Sequence, residues 1–321
     1  MTDPAPDPDR PLVTFALFAY NQEQYIREAV EGAFSQTYSP LEIILSDDCS
    51  SDQTYQIMQE MAAGYDGPHE VKLARRSTNL GIAFHVNKVF KEAAGEYIVL
   101  AAGDDVSRPD RTRIAVDCLI AENAVLFYSD VTPVGGTLGF AIEDLALSDP
   151  TDLDALALAT KMYIGATGVI DKILFQKYGP LMSKNLYEDQ VLGFRAALEA
   201  RISASSDRLV NYRIGGVSQG GRAPFQSVAD YKSRRISNIQ RNIDLFLSRL
   251  ADIGKSEHAA RNDLITELKR EIAKLEAEAR ALQSPIGAMI EGRPVAGVRE
   301  GLKISKAFIR SLRFSRLTMS D

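Results

Sequence analysis

Two hydrophobic rhythms alternate over the first hundred residues. Four short, almost wholly apolar runs bounded by polar turns are typical of buried strands. These runs are Leu12–Ala19, Leu41–Ser46, Val71–Ala74 and Tyr97–Ala101. Between them, apolar residues recur every three or four positions, which predicts amphipathic helices. Strand, helix, strand and helix with short connections predict an α/β fold, in which a mainly parallel sheet is flanked by helices.

Polar residues mark the expected ends of the helices. Asn21 is placed to cap the first helix, with Gln24 three residues on as its capping-box partner. The second helix is expected to follow the polar loop 47–52 and to end near Ala63. The third is expected to end near Ala94.

The pattern of apolar residues changes after residue 124 and again after residue 225. From 124 to about 221 we expect short strands, glycine turns and one helix, Val191–Ala200, preceded by Glu188 and Asp189. From 226 the pattern is purely helical, with two apolar seams separated by Gly254. The seams are Ile236, Ile239, Ile243, Phe246, Leu250 and Ile253, and then Ile265, Leu268, Ile272, Leu275, Ala279 and Leu282. They predict an antiparallel helical hairpin or short coiled coil, which packs either on a second copy or on its own chain.

Composition restricts the class of protein. The 321 residues are 45% apolar and 25% charged, which is typical of soluble globular proteins and excludes wholesale disorder and a polytopic membrane protein. Residues 1–10 are rich in proline and aspartate without an apolar segment, so we expect a flexible leader and a cytoplasmic protein. Cys49 and Cys118 provide neither a disulfide framework nor a metal cluster.

Charge is unevenly spread along the chain. Gly292–Ser320 holds seven basic residues and one acidic residue, whereas the whole chain has a formal charge of −6. The acidic remainder argues against nucleic acid as a partner. Within 284–321, apolar and basic residues of Leu302–Leu317 fall on different sides of a helical wheel, which predicts peripheral contact with the inner membrane surface. Docking against the acidic body or another subunit is the alternative.

Three polar clusters follow predicted strands: Asn21, then Asp47 and Asp48, then Asp104 and Asp105. Ligands of parallel sheets bind beyond the carboxyl ends of the strands, so we expect one shared pocket. Paired carboxylates hold Mg²⁺ or Mn²⁺ together with substrate phosphates, or accept hydrogen bonds from ribose and base. For each cluster taken alone, the alternative is that its side chains cap a loop and bind no ligand.

Phosphate-cradling loops of the common kinds are absent from the sequence. Gly254-Lys255-Ser256 lacks the preceding glycine that a nucleotide-binding loop needs, because Arg249 stands at that position. Phosphates would therefore be neutralised by a metal. The three histidines, His69, His85 and His258, are scattered without ligand spacing, and we expect surface or packing positions for them. For His85, which follows the Asn79–Gly81 loop, contact with a bound donor is the alternative.

An ordered set of motifs resembles family 2 glycosyltransferases of the GT-A fold. The resemblance covers about residues 11–221 in the order that the family shows. It is carried by Val13–Asn21, Ser35–Tyr38, Glu42–Asp52, Asn79–Ala83, Ala94–Ile98, Gly103–Asp105, Glu188–Leu192 and Tyr212–Arg213.

The resemblance implies a role for each matched residue. Asp189 would be the catalytic base and Asp105 would bind Mn²⁺ or Mg²⁺, with Glu188 and Arg213 beside the acceptor. The nucleotide would contact Ala19, Tyr20, Asn21, Glu23, Asp48, Asn79, Gly81 and Asp104. The family's acidic signature is reduced here to Gly103-Asp104-Asp105, and Tyr212-Arg213 is followed by Ile214-Gly215, where members often have a variable residue and then a histidine. These departures leave a third protein ligand of the metal open.

The resemblance also implies domains and an activity. A catalytic domain would span 11–225, with a nucleotide-sugar half (11–128) and an acceptor half (129–225), followed by the helical region 226–283 and the basic tail 284–321. The activity would be inverting hexosyl transfer from a nucleotide sugar, with UDP favoured, to a glycan or lipid-linked acceptor in polysaccharide or glycolipid synthesis. The alternatives are a non-catalytic binding or scaffold protein of the same fold, and a nucleotidyltransferase. The latter would need a glycine-rich basic loop after the first strand, where Phe18–Gln22 stands.

Overall fold

The computed structural model describes residues 10–138, 145–148, 150, 152–216 and 227–283. Their contacts divide them into two compact units. The first comprises the described residues up to 216 together with 251–260, and the second comprises 227–250 and 261–283. The expected leader, apart from Arg10, and the expected basic tail 284–321 lie outside the described residues.

The first unit contains one eight-stranded sheet in the order β3-β2-β1-β4-β7-β6-β8-β5. The strands are β1 Val13–Ala19, β2 Leu41–Asp47, β3 Glu70–Arg75, β4 Tyr97–Ala102, β5 Val106–Ser107, β6 Leu126–Val134, β7 Val169–Asp171 and β8 Ile202–Arg213. Strands β1 to β4 pair in parallel, whereas β7 is antiparallel to both β4 and β6. The predicted parallel sheet is therefore confirmed for the first four strands, and the other half is mixed.

Seven helices of this unit are described. They are α1 Ile26–Phe34, α2 Thr54–Ala63, α3 Ile82–Glu92, α4 Arg111–Ala121, α5 Leu153–Leu158, α6 Ile173–Tyr178 and α7 Glu188–Leu198. Every residue of β1 and β2 is buried, as expected of central strands covered on both faces. The core joins these strands to the apolar face of α1, where Ile26, Ala29 and Val30 are buried.

The predicted start of α1 is wrong. The helix begins at Ile26, and its N-terminal flanking residue is Tyr25, which makes no side-chain cap. The side chain of Asn21 instead accepts a hydrogen bond from the backbone N–H of Ser51 at 2.8 Å. Residues 22–25 form a turn in which the N–H groups of Tyr25 and Ile26 both donate to the carbonyl of Gln22.

The prediction for residues 124–221 needs three corrections. The described residues contain three helices there, α5, α6 and α7, rather than one, and β8 is twelve residues long. Helix α7 begins at Glu188, so Glu188 and Asp189 form its first turn instead of preceding it. Acidic side chains are favourable in that turn because they face the positive end of the helix dipole.

A buried ion pair fixes the far part of α7 within the same unit. The Arg195 guanidinium donates to both carboxylate oxygens of Asp252, at 2.9 and 3.2 Å, and to the carbonyl of Gly179 at 2.8 Å. Both charged side chains are almost fully buried. Their mutual pairing offsets the desolvation that each charge would otherwise suffer.

The second unit is helical. It contains most of α8, Val228–Ile253, and α9, Asn262–Gln283, so the two predicted helices and the break at Gly254 are confirmed. Arg235 near the start of α8 pairs with Glu278 near the end of α9, which makes the two helices antiparallel. Apolar residues of both predicted seams are buried, including Ile239 and Leu268. No helix in the described ranges has the length and apolar character needed to cross a bilayer.

Candidate active site

A cavity of about 540 Å³ lies at the carboxyl edge of the parallel strands. All three predicted polar clusters lie near it, and the first turn of α7 lines it from another direction. The predicted site residues among its lining are Ala19, Tyr20, Asp48, Asn79, Gly81, Asp104, Asp105, Glu188, Asp189 and Arg213. Residues that are far apart in the sequence therefore share one cavity, because parallel strands end at the same sheet edge.

Asn21 and Glu23 are not among the residues that line the cavity. Glu23 accepts a hydrogen bond from the N–H of Gln53 at 3.0 Å, and its own N–H donates to Asp52 at 3.1 Å. Together with the Asn21 bond to Ser51, these contacts join the loop after β1 to the loop after β2. Both side chains therefore connect these two loops, and their predicted contact with the nucleotide stays a prediction.

Asp48 holds the loop that precedes α3. Its two carboxylate oxygens accept hydrogen bonds from the N–H groups of Leu80 and Gly81, both at 2.9 Å. Burial raises the pKa of Asp48 above its ordinary value, which the two hydrogen bonds partly counter. Gly81 has a φ of 75°, a conformation that glycine adopts without steric cost. The Asp48 carboxylate keeps further lone pairs that can accept from a ligand.

Asp104 and Asp105 are 5% and 6% exposed, and they lie just beyond β4. The backbone N–H of Arg213 donates to Asp105 at 2.8 Å, and the Arg213 guanidinium donates to the carbonyl of Asp104 at 3.1 Å. Burial and the neighbouring charge of Asp104 raise the pKa of Asp105 to about 7. The raised pKa means that the surroundings of Asp105 favour its protonated form.

The glycines around this pair leave no room for side chains. A Cβ on Gly103 would lie 2.5 Å from Oε1 of Gln22, and one on Gly216 would collide with Oδ2 of Asp104. Gly103 is the first residue of the reduced acidic signature Gly103-Asp104-Asp105. The close approach of Gln22 gives the glycine at this position a steric reason.

Arg213 is built into the scaffold as well as the cavity wall. Its guanidinium donates to Glu28 at 3.0 Å and lies 4.4 Å from the ring centroid of Tyr25. Both partners belong to α1 or to the turn before it. Because these contacts fix Arg213, its backbone N–H is held in position to contact Asp105.

The residues present fit a magnesium or manganese ion that shares its coordination with substrate. Nowhere in the described ranges do three or more histidine, cysteine, aspartate or glutamate side chains form a group able to hold a metal. Mg²⁺ is usually bound through one or two carboxylates plus phosphates and water. The crowded pair Asp104 and Asp105, with its raised pKa, is chemically suited to such a cation.

Glu188 and Asp189 reach the cavity from the first turn of α7. A Cβ on Gly165 would lie 2.5 Å from Oε1 of Glu188 and 3.4 Å from Cβ of Asp189, so Gly165 allows this turn to approach closely. Burial raises the pKa of Glu188 above its ordinary value. Two adjacent carboxyl groups therefore line the cavity.

His85 takes a packing position, as expected, and it also lines the cavity, where the alternative of a contact with the donor had placed it. It is 2% exposed. Its ring contacts Phe18 edge to face at a centroid distance of 5.1 Å. The available signal was its position on α3, one turn after Gly81. Tyr187, which is 41% exposed, also lines the cavity and was not predicted.

The comparisons with known proteins agree with this geometry. A family model described as Glycosyl transferase family 2 matches residues 14–179, which run from β1 to just beyond α6.

The chain is 44% identical over 88 residues to a protein of Mycobacterium tuberculosis, covering 27% of this chain and 25% of the relative. It is 38% identical over 101 residues to EpsE of Bacillus subtilis, named as a glycosyltransferase, covering 32% and 36%. It is 28% identical over 120 residues to TuaG of the same organism, named as a teichuronic acid biosynthesis glycosyltransferase, covering 37% and 46%. The matches thus span between a quarter and just under half of the length of these relatives.

Two solved structures share the fold. TarS of S. aureus, solved with UDP-GlcNAc, has a TM-score of 0.55 and 18% identity, covering 90% of this chain and 92% of that one. The mannosyltransferase PcManGT of Pyrobaculum calidifontis, solved with GDP-Man and Mn²⁺, has a TM-score of 0.55 and 20% identity, covering 99% and 91%. At this level of identity the likeness shows a common fold, so the expected GT-A architecture is confirmed.

Proposed function

This chain belongs to glycosyltransferase family 2, and we propose that it moves a sugar from a nucleotide diphosphate sugar to an acceptor hydroxyl with inversion at the anomeric carbon. One observation carries the proposal. Asp105, after β4, and Asp189, in α7, line the same cavity although 84 positions separate them in the sequence. A donor diphosphate beside Asp105 and an acceptor beside Asp189 would meet at one anomeric carbon.

The nucleotide is assigned to the part of the cavity formed by the loops after β1 and β2. Tyr20 and Asp48 line it, and Asn79 and Gly81 close it from the start of α3. The hydrogen bonds from Leu80 and Gly81 to Asp48 preorganise this loop before a ligand arrives. Preorganisation lowers the cost of ordering the site on binding.

Asp105 would hold the divalent metal, Mn²⁺ or Mg²⁺, and Asp104 would contact the ribose. When bound, such an ion neutralises charge on the diphosphate as a Lewis acid. The Mn²⁺ in the PcManGT structure supports this assignment, as does the chemistry of the Asp104–Asp105 pair. The protein's own part is to keep Asp105 in place through the backbone N–H of Arg213.

Asp189 would act as the general base. Its carboxylate takes the proton of the acceptor hydroxyl while that oxygen attacks the anomeric carbon. The bond from the anomeric carbon to the diphosphate oxygen breaks on the opposite face, and the nucleoside diphosphate leaves with the bonding electron pair. Attack opposite to the leaving group inverts the configuration, and the sugar passes through an oxocarbenium-like state.

The names of similar proteins and the basic tail support a donor, an acceptor and a location. A UDP-sugar donor and a glycan or lipid-linked acceptor in surface polysaccharide synthesis are supported by the names of TarS with UDP-GlcNAc and of TuaG. We place the chain in the cytoplasm, with its basic tail in peripheral contact with the inner membrane. The antiparallel helices α8 and α9 would mediate self-association.

A donor screen tests the proposed activity. Melting temperature is measured with UDP, GDP, CDP and ADP, each with and without Mn²⁺, and release of nucleoside diphosphate is then measured for matching nucleotide sugars. One nucleotide should raise the melting temperature by several degrees in the presence of Mn²⁺, because ligands stabilise the state that they bind. Binding without turnover of any nucleotide sugar would favour the non-catalytic alternative. No binding of any nucleotide would refute the proposed site.

Flotation with anionic vesicles tests the membrane contact. The full chain should float with vesicles containing phosphatidylglycerol. A variant with glutamine at Lys303, Lys306, Arg310 and Arg313 should remain in the bottom fraction, because each basic residue contributes about 1 kcal/mol near such a surface. Equal flotation of both proteins would contradict the contact. Sedimentation analysis of the same samples tests self-association.

A further inference from the structure

His85 lies in the first turn of α3, four residues after Gly81. Its backbone N–H donates to the carbonyl of Gly81 at 2.9 Å, as the first turn of α3 requires. The N–H of the same Gly81 donates to the Asp48 carboxylate at 2.9 Å. Asp48 and His85 both line the cavity. One glycine therefore contacts both the Asp48 carboxylate and the backbone of His85.

The buried surroundings of Ser46 determine which imidazole nitrogen carries the proton. Oγ of Ser46 lies 2.7 Å from Nε2 of His85 and accepts a hydrogen bond from the Arg76 guanidinium at 3.0 Å. Ser46 is fully buried, so its O–H needs an acceptor. Arg76 can only donate, and among the residues that the structure describes Nε2 of His85 is the remaining partner. Nε2 is therefore the acceptor, and the proton of the neutral ring is on Nδ1.

The ring stays neutral under physiological conditions. Burial and the charge of Arg76 lower the pKa of His85 to about 3. Arg76 is itself held by Glu92 through two contacts of 2.7 Å. Nδ1 of His85 makes no hydrogen bond with any described residue, nor is it among the fully buried polar atoms that lack one. His85 thus offers the cavity a single N–H donor.

We propose that His85 Nδ1–H donates to a carbonyl of the donor nucleobase while Asp48 accepts the adjacent ring N–H, so that together they select a base with a ring N–H beside a carbonyl. Uracil and guanine have this arrangement. Cytosine and adenine instead present an unprotonated ring nitrogen beside an amino group. The inference rests on the proposed function, because it assigns the base end of the same cavity.

Asp48 and His85 would select the base in two ways. They form hydrogen bonds with uracil or guanine, and they are left with unpaired polar groups when cytosine or adenine is bound. Cytosine would place the lone pair of a ring nitrogen against the Asp48 carboxylate, and its amino group against the His85 N–H. Leaving buried polar groups unpaired in this way costs more than a single hydrogen bond gains. Sites built to hydrogen-bond one substrate reject analogues strongly for that reason.

Calorimetric titration with UDP, GDP, CDP and ADP in the presence of Mn²⁺ tests this selectivity. The wild-type chain should bind UDP or GDP at least tenfold more tightly than CDP and ADP, and the tighter of the two identifies uracil or guanine. His85→Phe keeps an aromatic ring against Phe18 but removes the N–H. It should weaken binding of the preferred nucleotide about tenfold, which corresponds to one net hydrogen bond, and it should not weaken binding of CDP, because the N–H that opposes the cytosine amino group is gone.

Two further variants separate recognition from loss of structure. Ser46→Ala leaves the His85 ring in place but frees its tautomer, and it should weaken the preferred nucleotide by a smaller factor than His85→Phe. Phe84→Leu changes an exposed neighbour on α3 that does not line the cavity, and it should change no affinity. Melting temperatures check that each variant is folded. If His85→Phe does not fold, the Ser46→Ala result decides.

The possible failures are distinguishable. A wild-type chain that binds one nucleotide, with base selectivity unchanged in His85→Phe and in Ser46→Ala, would overturn the role of His85 and leave the proposed function standing. Preferred binding of CDP or ADP by the wild-type chain would overturn it as well. A wild-type chain that binds none of the four nucleotides would refute the proposed function itself.

Discussion

Two buried carboxylates at opposite ends of the parallel strands have pKa values that are shifted in opposite directions. Glu42, near the start of β2, is 1% exposed, and Asp105, just beyond β4, is 6% exposed. Glu42 accepts hydrogen bonds from the Thr14 hydroxyl at 2.6 Å and the Ala94 N–H at 3.0 Å, and pairs with Lys72. Although burial alone would raise it, the pKa of Glu42 is lowered by these partners.

Asp105 is buried to a similar degree, but its partners do not offset that burial. Burial and the charge of Asp104 raise the pKa of Asp105 to about 7, and the N–H of Arg213 and the charges of Arg111 and Arg213 counter this rise only in part. The contrast separates two uses of a buried acid. A carboxylate whose hydrogen bonds and charge are satisfied within the protein stabilises the fold, whereas one left with excess negative charge at a cavity is suited to bind a cation or substrate.

The largest expected effect at the carboxyl edge comes from Asp189→Asn. We expect the rate of transfer to fall by about 10³-fold, within the range of general-base contributions, because the amide cannot take the acceptor proton. The affinity for nucleoside diphosphate should not change. Initial rates of diphosphate release and calorimetric titration measure the two quantities.

Asp263→Asn is the matched control for Asp189→Asn. Asp263 also lies in the first turn of a helix, α9, but it is exposed and pairs with Arg261. This control should transfer sugar at the wild-type rate. A parallel loss of nucleotide affinity in Asp189→Asn would mean that Asp189 is structural.

Asp105→Asn tests the assignment of Asp105 as a ligand of the cation. The gain in nucleotide affinity on adding Mn²⁺ should fall on the order of 100-fold, since a Lewis-acid contact is worth several kcal/mol. Without metal, the variant should be at least as stable as the wild-type chain, because it removes a buried, poorly compensated charge. Titration with and without Mn²⁺, and urea unfolding of the metal-free proteins, provide both readouts. Full Mn²⁺ dependence in the variant would contradict the assignment.

Glu42→Gln should act in the opposite direction on stability. We expect it to lower the free energy of unfolding by about 2 kcal/mol, because it removes the charge that Lys72 and the Thr14 hydroxyl contact in a buried place. Glu70→Gln is the control: Glu70 also contacts Lys72, at 3.3 Å, but it is exposed, and its loss should cost less than about 0.5 kcal/mol. Equal effects of the two substitutions in urea unfolding would refute the contrast.

The pH dependence of stability should reveal the smallest effect. Asp105 binds its proton more tightly in the folded chain, with a pKa of about 7, than at its ordinary value of 3.8. Its contribution to stability is therefore present at low pH and is lost as pH rises through 7. Between pH 6 and pH 8 the metal-free wild-type chain should lose about 1 kcal/mol relative to Asp105→Asn. A constant difference between the two proteins would contradict the raised pKa.

The parallel half of the fold was predictable because β1, β2 and nearly all of β4 are buried and form continuous apolar runs in the sequence. The clustering of Asp48, Asp104 and Asp105 followed from the rule that such strands end at one edge. Asp189 was placed by the family resemblance alone, because its neighbour in space, Gly165, is not near in sequence. The structure brings all four to one cavity.

The remaining features depended on contacts that local pattern does not reveal. Asn21 has the side chain of a helix cap, but its bond to Ser51 joins two loops. His85 resembles an ordinary helix residue, and only its partner Ser46 on β2, 39 positions earlier, reveals its tautomer. Helices α5 and α6 are only six residues long, which is too short for a periodic signal.

Anomalous diffraction from crystals grown with Mn²⁺ and the preferred nucleoside diphosphate tests the central claim most directly. The manganese peak should lie within coordination distance of an Asp105 carboxylate oxygen and of the diphosphate, with Asp189 facing the same space. A manganese peak away from Asp105, or a nucleotide bound outside this cavity, would contradict the account.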